Sequence, residues 1–192
     1  MVPCATGLGG LPGKYRSRMI KDNRIFIEKL EKTGDVVRVK QEVDWDLEAG
    51  AIIRRTNERR GPAPFFEKIR DYPAGYRIFG SPLGTHRRLA LALGLMPDAS
   101  IEALQNEYEL RTDNPVKPVI VKKAPCKENI LKGQDVNLFQ FPAPMIHEGD
   151  GGRYIATWHA VIAKDPDSEW TNWGMYRLMA YNRRHTGVDW HK

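Results

Sequence analysis

Up to about residue 114 the hydrophobic positions switch between a helical rhythm and a two-residue rhythm; beyond that the two-residue rhythm dominates. In IFIEKLEKTGD, Phe26 and Leu30 lie four apart on one helical face, with Asp22 placed to cap the start and Gly34 placed to stop the end. The next segment, DVVRVKQEV, alternates Val37, Val39 and, after a change of phase, Val43 with charged residues, as a half-buried strand does. Helical spacing returns in DLEAGAIIRRTNERRG. There Leu47, Ala51 and Ile52 are expected toward the core, Arg54, Arg55, Arg59 and Arg60 toward water, and Gly61 and Pro62 as the stop. APFFEKI and YRIFGSP read as strands around the turn YPAG, and two helices follow, opening at the caps Thr85 and Ser100. Together these elements form a small α/β unit.

The run NPVKPVIVKKAPCKEN has prolines on both flanks of a β-rich core and is expected to be a crossing strand or linker, which places a boundary near residue 115. In RYIATWHAVIAKDP, Ile155, Thr157, His159, Val161 and Ala163 share one face of an expected strand. DPDSE then turns, EWTNWGMYRLMAY returns, and NRRHTG turns into a third strand, GVDW. The three strands make a meander with an unpaired edge, so the chain is expected to be incomplete as a fold.

Composition adds limits rather than a function. With 41% hydrophobic and 28% charged residues among 192, the chain has an ordinary globular balance, neither disordered nor fibrous. The longest apolar stretch, from Leu89 to Met96, is far shorter than the roughly 20 residues needed to span a bilayer. Residues 1–21 contain Gly and Pro without a continuous apolar core, and are expected to be a flexible leader. Cys4 and Cys126 allow at most one disulfide; reduced thiols and a cytoplasmic location are the expectation. A net charge of +6 admits a phosphate-bearing partner without requiring one. The basic pairs Arg54/Arg55, Arg59/Arg60, Arg87/Arg88, Lys122/Lys123 and Arg183/Arg184 do not form a stripe. They are expected to be solvated faces or subunit contacts, with nucleic-acid binding as an alternative reading.

No CxxC pair, HExxH, GxSxG or phosphate-binding loop is present, and Gly7, Gly9 and Gly10 precede any strand. The unusual residues gather in TWHAVIAKDPDSEWTNWGMYR, which holds Trp158, Trp170 and Trp173 beside His159, Asn172 and Arg177. Tryptophans beside polar groups can wall a flat ligand; they can equally fill the core of the meander, and the residues alone favour the core. Asn172 offers a hard amide oxygen suited to Mg²⁺ or Mn²⁺, although one such oxygen does not make a metal site. Arg177 carries a planar fork that fits a carboxylate or phosphate. HEGDGGRY, from His147 to Tyr154, reads as a tight turn.

Taken in order, DLEAGAIIRRTNE, APFFEKI, YRIFGSP, APCKENI, FPAPMIHEGDGGRYIAT and EWTNWGMYRLMAYNRRHTG resemble the N-terminal part of the UbiD-type decarboxylases, most of all their ferulic acid and aromatic hydroxy-acid branches. The resemblance implies an α+β architecture: a small N-terminal α/β domain over 22–115, then, over 116–192, the first strands of a split β-barrel that binds prenylated FMN. It also implies reversible non-oxidative decarboxylation of an aromatic or α,β-unsaturated acid, with Mn²⁺ (or Mg²⁺) and K⁺ linking the cofactor phosphate to the protein. By the same resemblance, Asn172 binds the metal, the Trp170 carbonyl approaches K⁺, and Asn172, Trp173, Gly174, Met175, Tyr176 and Arg177 lie along the flavin. Arg177 is the catalytic arginine that clamps the substrate acid. The family's metal-binding histidine falls just past Lys192, with His191 as its candidate substitute, and the acidic catalytic residues also fall beyond residue 192. The chain is therefore expected to be a fragment or one subunit, inactive alone, working as a homo-oligomer or with a chain that supplies the C-terminal part. A non-catalytic binding or regulatory subunit of the same fold is the alternative. Asn172 and Arg177 are five residues apart and would face opposite sides of a regular strand, so a bulge, or a cofactor lying across the strand end, is expected between them.

Overall fold

A computed structural model describes residues 20–117 and 119–188. Cys4, most of the expected leader and His191 lie outside the described residues. The fold is mixed α+β, with short sheets and four α-helices among the described residues. None of these helices is long and apolar enough to cross a membrane.

Local capping sets the helix starts. Helix α1 (Asn23–Lys32) begins where the Asp22 carboxylate accepts bonds from the Arg24 and Ile25 amides at 2.8 and 3.0 Å, satisfying donors that the helix itself cannot. It ends before Gly34, whose φ of +73° a side chain would resist. Asp22→Ala is expected to cost about 1 kcal/mol, measurable as a lower thermal midpoint at unchanged native ellipticity. The same chemistry starts α3 (His86–Ala92), where Thr85 Oγ1 accepts from the Arg88 amide at 3.2 Å, and α4 (Ile101–Asp113), where Ser100 Oγ accepts from the Ala103 amide at 3.1 Å.

Strand β1 (Val36–Val43), helix α2 (Glu48–Glu58) and strand β2 (Ala63–Ile69) form a crossover unit. The Ala63 amide donates to Asp35 O and the Arg70 amide to Val43 O, so β1 and β2 run parallel. Strand β3 (Ile78–Phe79) then pairs antiparallel with β2, Phe65 opposite Phe79 and Phe66 opposite Ile78. Three positions expected to point inward do not. Val37 is exposed, leaving Val39 and Val43 as the core residues of β1. On α2 the buried face is Ala49, Ile52 and Ile53, not Leu47 and Ala51. Leu47 takes φ +64° ahead of the helix, which removes it from the helical rhythm and shifts the inward stripe.

The described residues fall into two compact units. One comprises the residues up to Val37 with Asn57–Ala63 and Ser81–Leu131; the other comprises Arg38–Thr56, Pro64–Gly80 and the residues from Lys132. The first buries Phe26, Leu30, Ala63, Ala90, Leu91 and Leu104. It also buries Arg88, which was expected on a solvated face: at 1% exposure its guanidinium donates to Gly61 O at 2.8 Å and to Ser81 Oγ at 3.3 Å. Burial pulls its pKa down, an effect that Asp35 opposes.

The second unit is centred on Val43, Ala49, Phe66 and Ile69. Beside this core the Arg153 guanidinium lies 3.9 Å from the Trp45 ring centre and 5.2 Å from that of Phe139, and its Nε donates to Ala143 O at 2.6 Å. Arg153 also bonds the Tyr72 hydroxyl, which is within 3.0 Å of both Phe139 O and Phe141 O. One cation thus ties segments far apart in the sequence. The run 115–124, expected to hold a crossing strand or act as a linker, forms no regular strand among the described residues. Short 3₁₀ turns follow it at Pro125–Lys127, Gly133–Asp135 and Leu138–Gln140.

Candidate functional site

The expected long strands of the C-terminal half are each broken in two. RYIATWHAVIAK yields β4 (Tyr154–Ala156) and β5 (Val161–Lys164), and TNWGMYRLMA yields β6 (Thr171–Gly174) and β7 (Leu178–Ala180). β5 pairs with β6 from Val161 opposite Gly174 to Lys164 opposite Thr171. β4 pairs with β7 from Ala156 opposite Leu178, with a register shift before Tyr154 opposite Met179. Strand β8 (Thr186–Val188) continues the second sheet beyond β7. Between the two ladders, residues 157–160 stand against residues 175–177, four against three. Such a mismatch cannot be paired regularly, and it bends the ribbon and redirects its side chains.

That interruption carries the residues singled out by chemistry. Trp158 and His159 lie on one side of it, and Met175, Tyr176 and Arg177 on the other. Trp158, Trp170, Trp173 and Met175 are 75%, 64%, 55% and 64% exposed, so the tryptophans do not fill a core. Exposed flat apolar groups of this size, crowded on one ribbon, are available to be covered by a ligand or another segment.

Exposure alternates along β6 and beyond. Asn172, Gly174 and Tyr176 are half-buried, whereas Trp173, Met175 and Arg177 are exposed. The three half-buried residues pack together: Asn172 Nδ2 donates to Tyr176 Oη at 3.4 Å, and any Cβ on Gly174 would collide with the Tyr176 ring. A side chain at 174 would displace the tyrosine ring that lies back over it. Holding the amide nitrogen in this way leaves Asn172 Oδ1 for another partner. The Trp170 carbonyl accepts from the Asp165 amide at 3.0 Å and keeps a second lone pair. Asp165 itself accepts from the Asp167 amide and from Ser168 Oγ, both at 2.9 Å, and these bonds hold its carboxyl below the usual range.

Arg177 reaches across the ladder to Tyr154, with its guanidinium carbon 5.0 Å from the ring centre. Tyr154 is the partner of Met179, two residues on, so this is the diagonal contact of an antiparallel pair. Stacking occupies a face of the guanidinium and leaves the N–H groups at its rim for an anion. No carboxylate pairs with Arg177 among the described residues. Nor do three His, Cys, Asp or Glu side chains gather to hold a metal among the described residues, which leaves Asn172 as the hard oxygen on β6; His191 lies outside them. Both ring nitrogens of His159 are shielded from solvent without a hydrogen-bond partner among the described residues. Periodicity gave no warning of this, because it placed His159 in a regular strand. The segment from His147 is a closed turn, as expected. His147 N donates to Asp150 Oδ2 at 3.1 Å, Asp150 N donates to His147 O at 3.2 Å, and Gly149 takes φ +88°.

This arrangement has relatives. Residues 27–108 match the family model of the 3-octaprenyl-4-hydroxybenzoate carboxy-lyase N-terminal domain, and residues 117–192 match that of the Rift-related domain of the same carboxy-lyase. The chain belongs to the UbiD family. It is 41% identical to the pyrrole-2-carboxylic acid decarboxylase of Pseudomonas aeruginosa, over 87% of this chain and 35% of the relative. It is 35% identical to ferulic acid decarboxylase 1 of Saccharomyces cerevisiae, over 86% of this chain and 35% of the relative. Among solved structures, the closed form of the Sedimentibacter hydroxybenzoicus vanillic acid decarboxylase superposes with a TM-score of 0.81 at 36% identity, covering 88% of this chain and 37% of that one. A UbiD-class enzyme of Pelotomaculum thermopropionicum in complex with prenylated FMN superposes with a TM-score of 0.76 at 27% identity, covering 88% of this chain and 38% of that one. The chain thus spans about a third of the length of the curated relatives it matches.

Proposed function

We propose that the chain contributes the flavin-facing ribbon of a prenylated-FMN-dependent decarboxylase acting on an aromatic or α,β-unsaturated carboxylic acid. The observation that carries this reading is the row of exposed side chains Trp170, Trp173, Met175 and Arg177 leading into the interruption of the ribbon, in a chain of the UbiD family. The donor set fits such a cofactor: an apolar edge at Trp173 and Met175, a glycine at 174 that keeps the backbone low, a hard oxygen at Asn172 and a cation at Arg177.

When bound, prenylated FMN supplies the electron sink that loss of CO₂ requires. The residues of this chain bind and orient. Asn172 Oδ1 is a ligand for Mn²⁺ or Mg²⁺, with its amide held in place by Tyr176; His191 is a further candidate ligand. The second lone pair of the Trp170 carbonyl would be available to hold K⁺. The segment from Trp173 to Tyr176 would hold the ring system, with the exposed side chains of Trp173 and Met175 giving it an apolar, water-excluding contact. Arg177, stacked on Tyr154, presents its fork to the substrate carboxylate and fixes it relative to the cofactor. Proton delivery also needs carboxylates near Arg177, none of which pairs with it among the described residues, and the proposed working form is a homo-oligomer or a complex with a second chain that supplies them. The vanillic acid decarboxylase neighbours set a precedent for such an assembly, since one of them carries a separately named, truncated D component.

The test is Asn172→Ala in the assembled protein, with bound flavin measured by absorbance and manganese by elemental analysis. Both are expected to fall at least tenfold, in line with the cost of weakening a metal's ligand shell. Wild-type flavin and manganese contents would remove Asn172 from the site.

A further inference from the structure

The first unit contains a second place where charge and space coincide. A cleft of about 670 Å³ opens among Asp35, Arg60, Leu83, His86, Arg87 and Leu89. Its volume falls within the range of about 300–1,000 Å³ typical of small-molecule sites. Its charges do not balance. Asp35 is already engaged: Arg87 Nε donates to its two oxygens at 3.0 and 2.9 Å, and Thr33 Oγ1 donates to one of them at 2.6 Å. Arg60 has no carboxylate partner among the described residues.

Beneath the wall of the cleft lies the buried Arg88. Its Nη1 is bonded to Gly61 O, and a Cβ on Gly84 would come within 2.9 Å of its Nη2; both glycines line the cleft. Among the described residues Arg88 Nε has no partner, and no carboxylate bonds this guanidinium. Among the described residues, the cleft and its wall thus hold three arginines, Arg60, Arg87 and Arg88, and one carboxylate, Asp35. A cation withdrawn from water in this way is stabilised by a nearby anion, and the protein supplies too few. The backbone at Arg60 points the same way. It takes φ +51° just past the end of α2, a position where glycine is the usual residue, so a charged side chain stands at the mouth of the cleft at a conformational cost.

We propose that this cleft binds the phosphate group of a small organic phosphate, with the organic part packed on Leu83 and Leu89. A phosphate carries up to two negative charges, which matches the excess of two cations, and its oxygens suit the arginine fork. The apolar side of the cleft favours an ester over the bare ion.

The probes are phenyl phosphate and inorganic phosphate, titrated separately into the 192-residue chain at low salt and followed by calorimetry and ³¹P line broadening. Phenyl phosphate is expected to bind saturably with one site, at least fivefold more tightly than inorganic phosphate, and to raise the thermal midpoint. Arg60→Glu, which reverses an exposed charge, is expected to weaken it at least tenfold without moving the ligand-free midpoint, whereas Arg177→Ala leaves it unchanged. Absence of saturable binding, equal affinity for the two probes, or full affinity in Arg60→Glu would overturn the proposal. So would loss of binding in Arg177→Ala alone, since the phosphate would then sit on the flavin-facing ribbon. Asn172→Ala, which tests that ribbon, is read by flavin and manganese content, so the two proposals fail separately.

Discussion

Replacing Arg177 by alanine in the assembled, flavin-loaded enzyme is expected to lower kcat/KM for decarboxylation about 10²–10³-fold, the usual cost of removing one positioned donor from a charged transition state. The structure gives the reason. The guanidinium is already stacked on Tyr154 with its rim free, so the substrate carboxylate meets a fork oriented before it arrives. Arg177→Lys separates charge from geometry: lysine keeps the charge but loses the planar fork, and is expected to recover less than a tenth of the lost rate. Flavin absorbance must be shown to be intact in both variants, so that loss of cofactor is not mistaken for loss of the clamp. Wild-type kcat/KM in Arg177→Ala would end the assignment.

Phe66→Ala is expected to destabilise the second unit by about 3–5 kcal/mol, a large part of the ~5–15 kcal/mol that holds a typical domain together. Phe66 is fully buried on β2, in one cluster with Val43, Ala49 and Ile69 and opposite Ile78, so truncation leaves a cavity that the paired strand cannot close. Urea unfolding followed by circular dichroism measures it, and a loss below about 1 kcal/mol would mean that this is not the core. Trp173→Ala is the comparison: a larger side chain is deleted, but from an exposed position, and the expected change in stability is within about 0.5 kcal/mol.

What was legible beforehand was local. Asp22, Thr85 and Ser100 could be recognised as caps because a cap needs only a short polar side chain two or three residues ahead of the amide it bonds. The inward face of α2 could not be placed, because Leu47 leaves the helical conformation and because Gly50 lies against the Ile146 backbone, nearly a hundred residues on. Alternation from Ile155 to Ala163 was equally silent about the break at 157–160, since ladder register belongs to two segments and periodicity reports on one. Asn172 and Arg177, five apart, keep alternating exposure and so differ in side as a regular strand would have them, although the pairing itself lapses at 175–177. Arg88 was misplaced on a solvated face, although its spacing of three from Leu91 puts both on the buried side of α3. The roles of the ribbon residues came from resemblance alone, because a hard oxygen and an arginine have many uses until a surface brings them together.

The β5–β6 ribbon pairs four residues with four, and among the described residues each strand is bonded along one edge only. A two-stranded ribbon is marginal in water by itself. Whatever segment lies along its open edges therefore adds to its stability, and a partner on a separate chain would add it in proportion to the logarithm of that partner's concentration. For such a partner, order in the segment from Trp170 to Arg177 would fall on dilution as the complex dissociates, before any covalent or chemical change occurs.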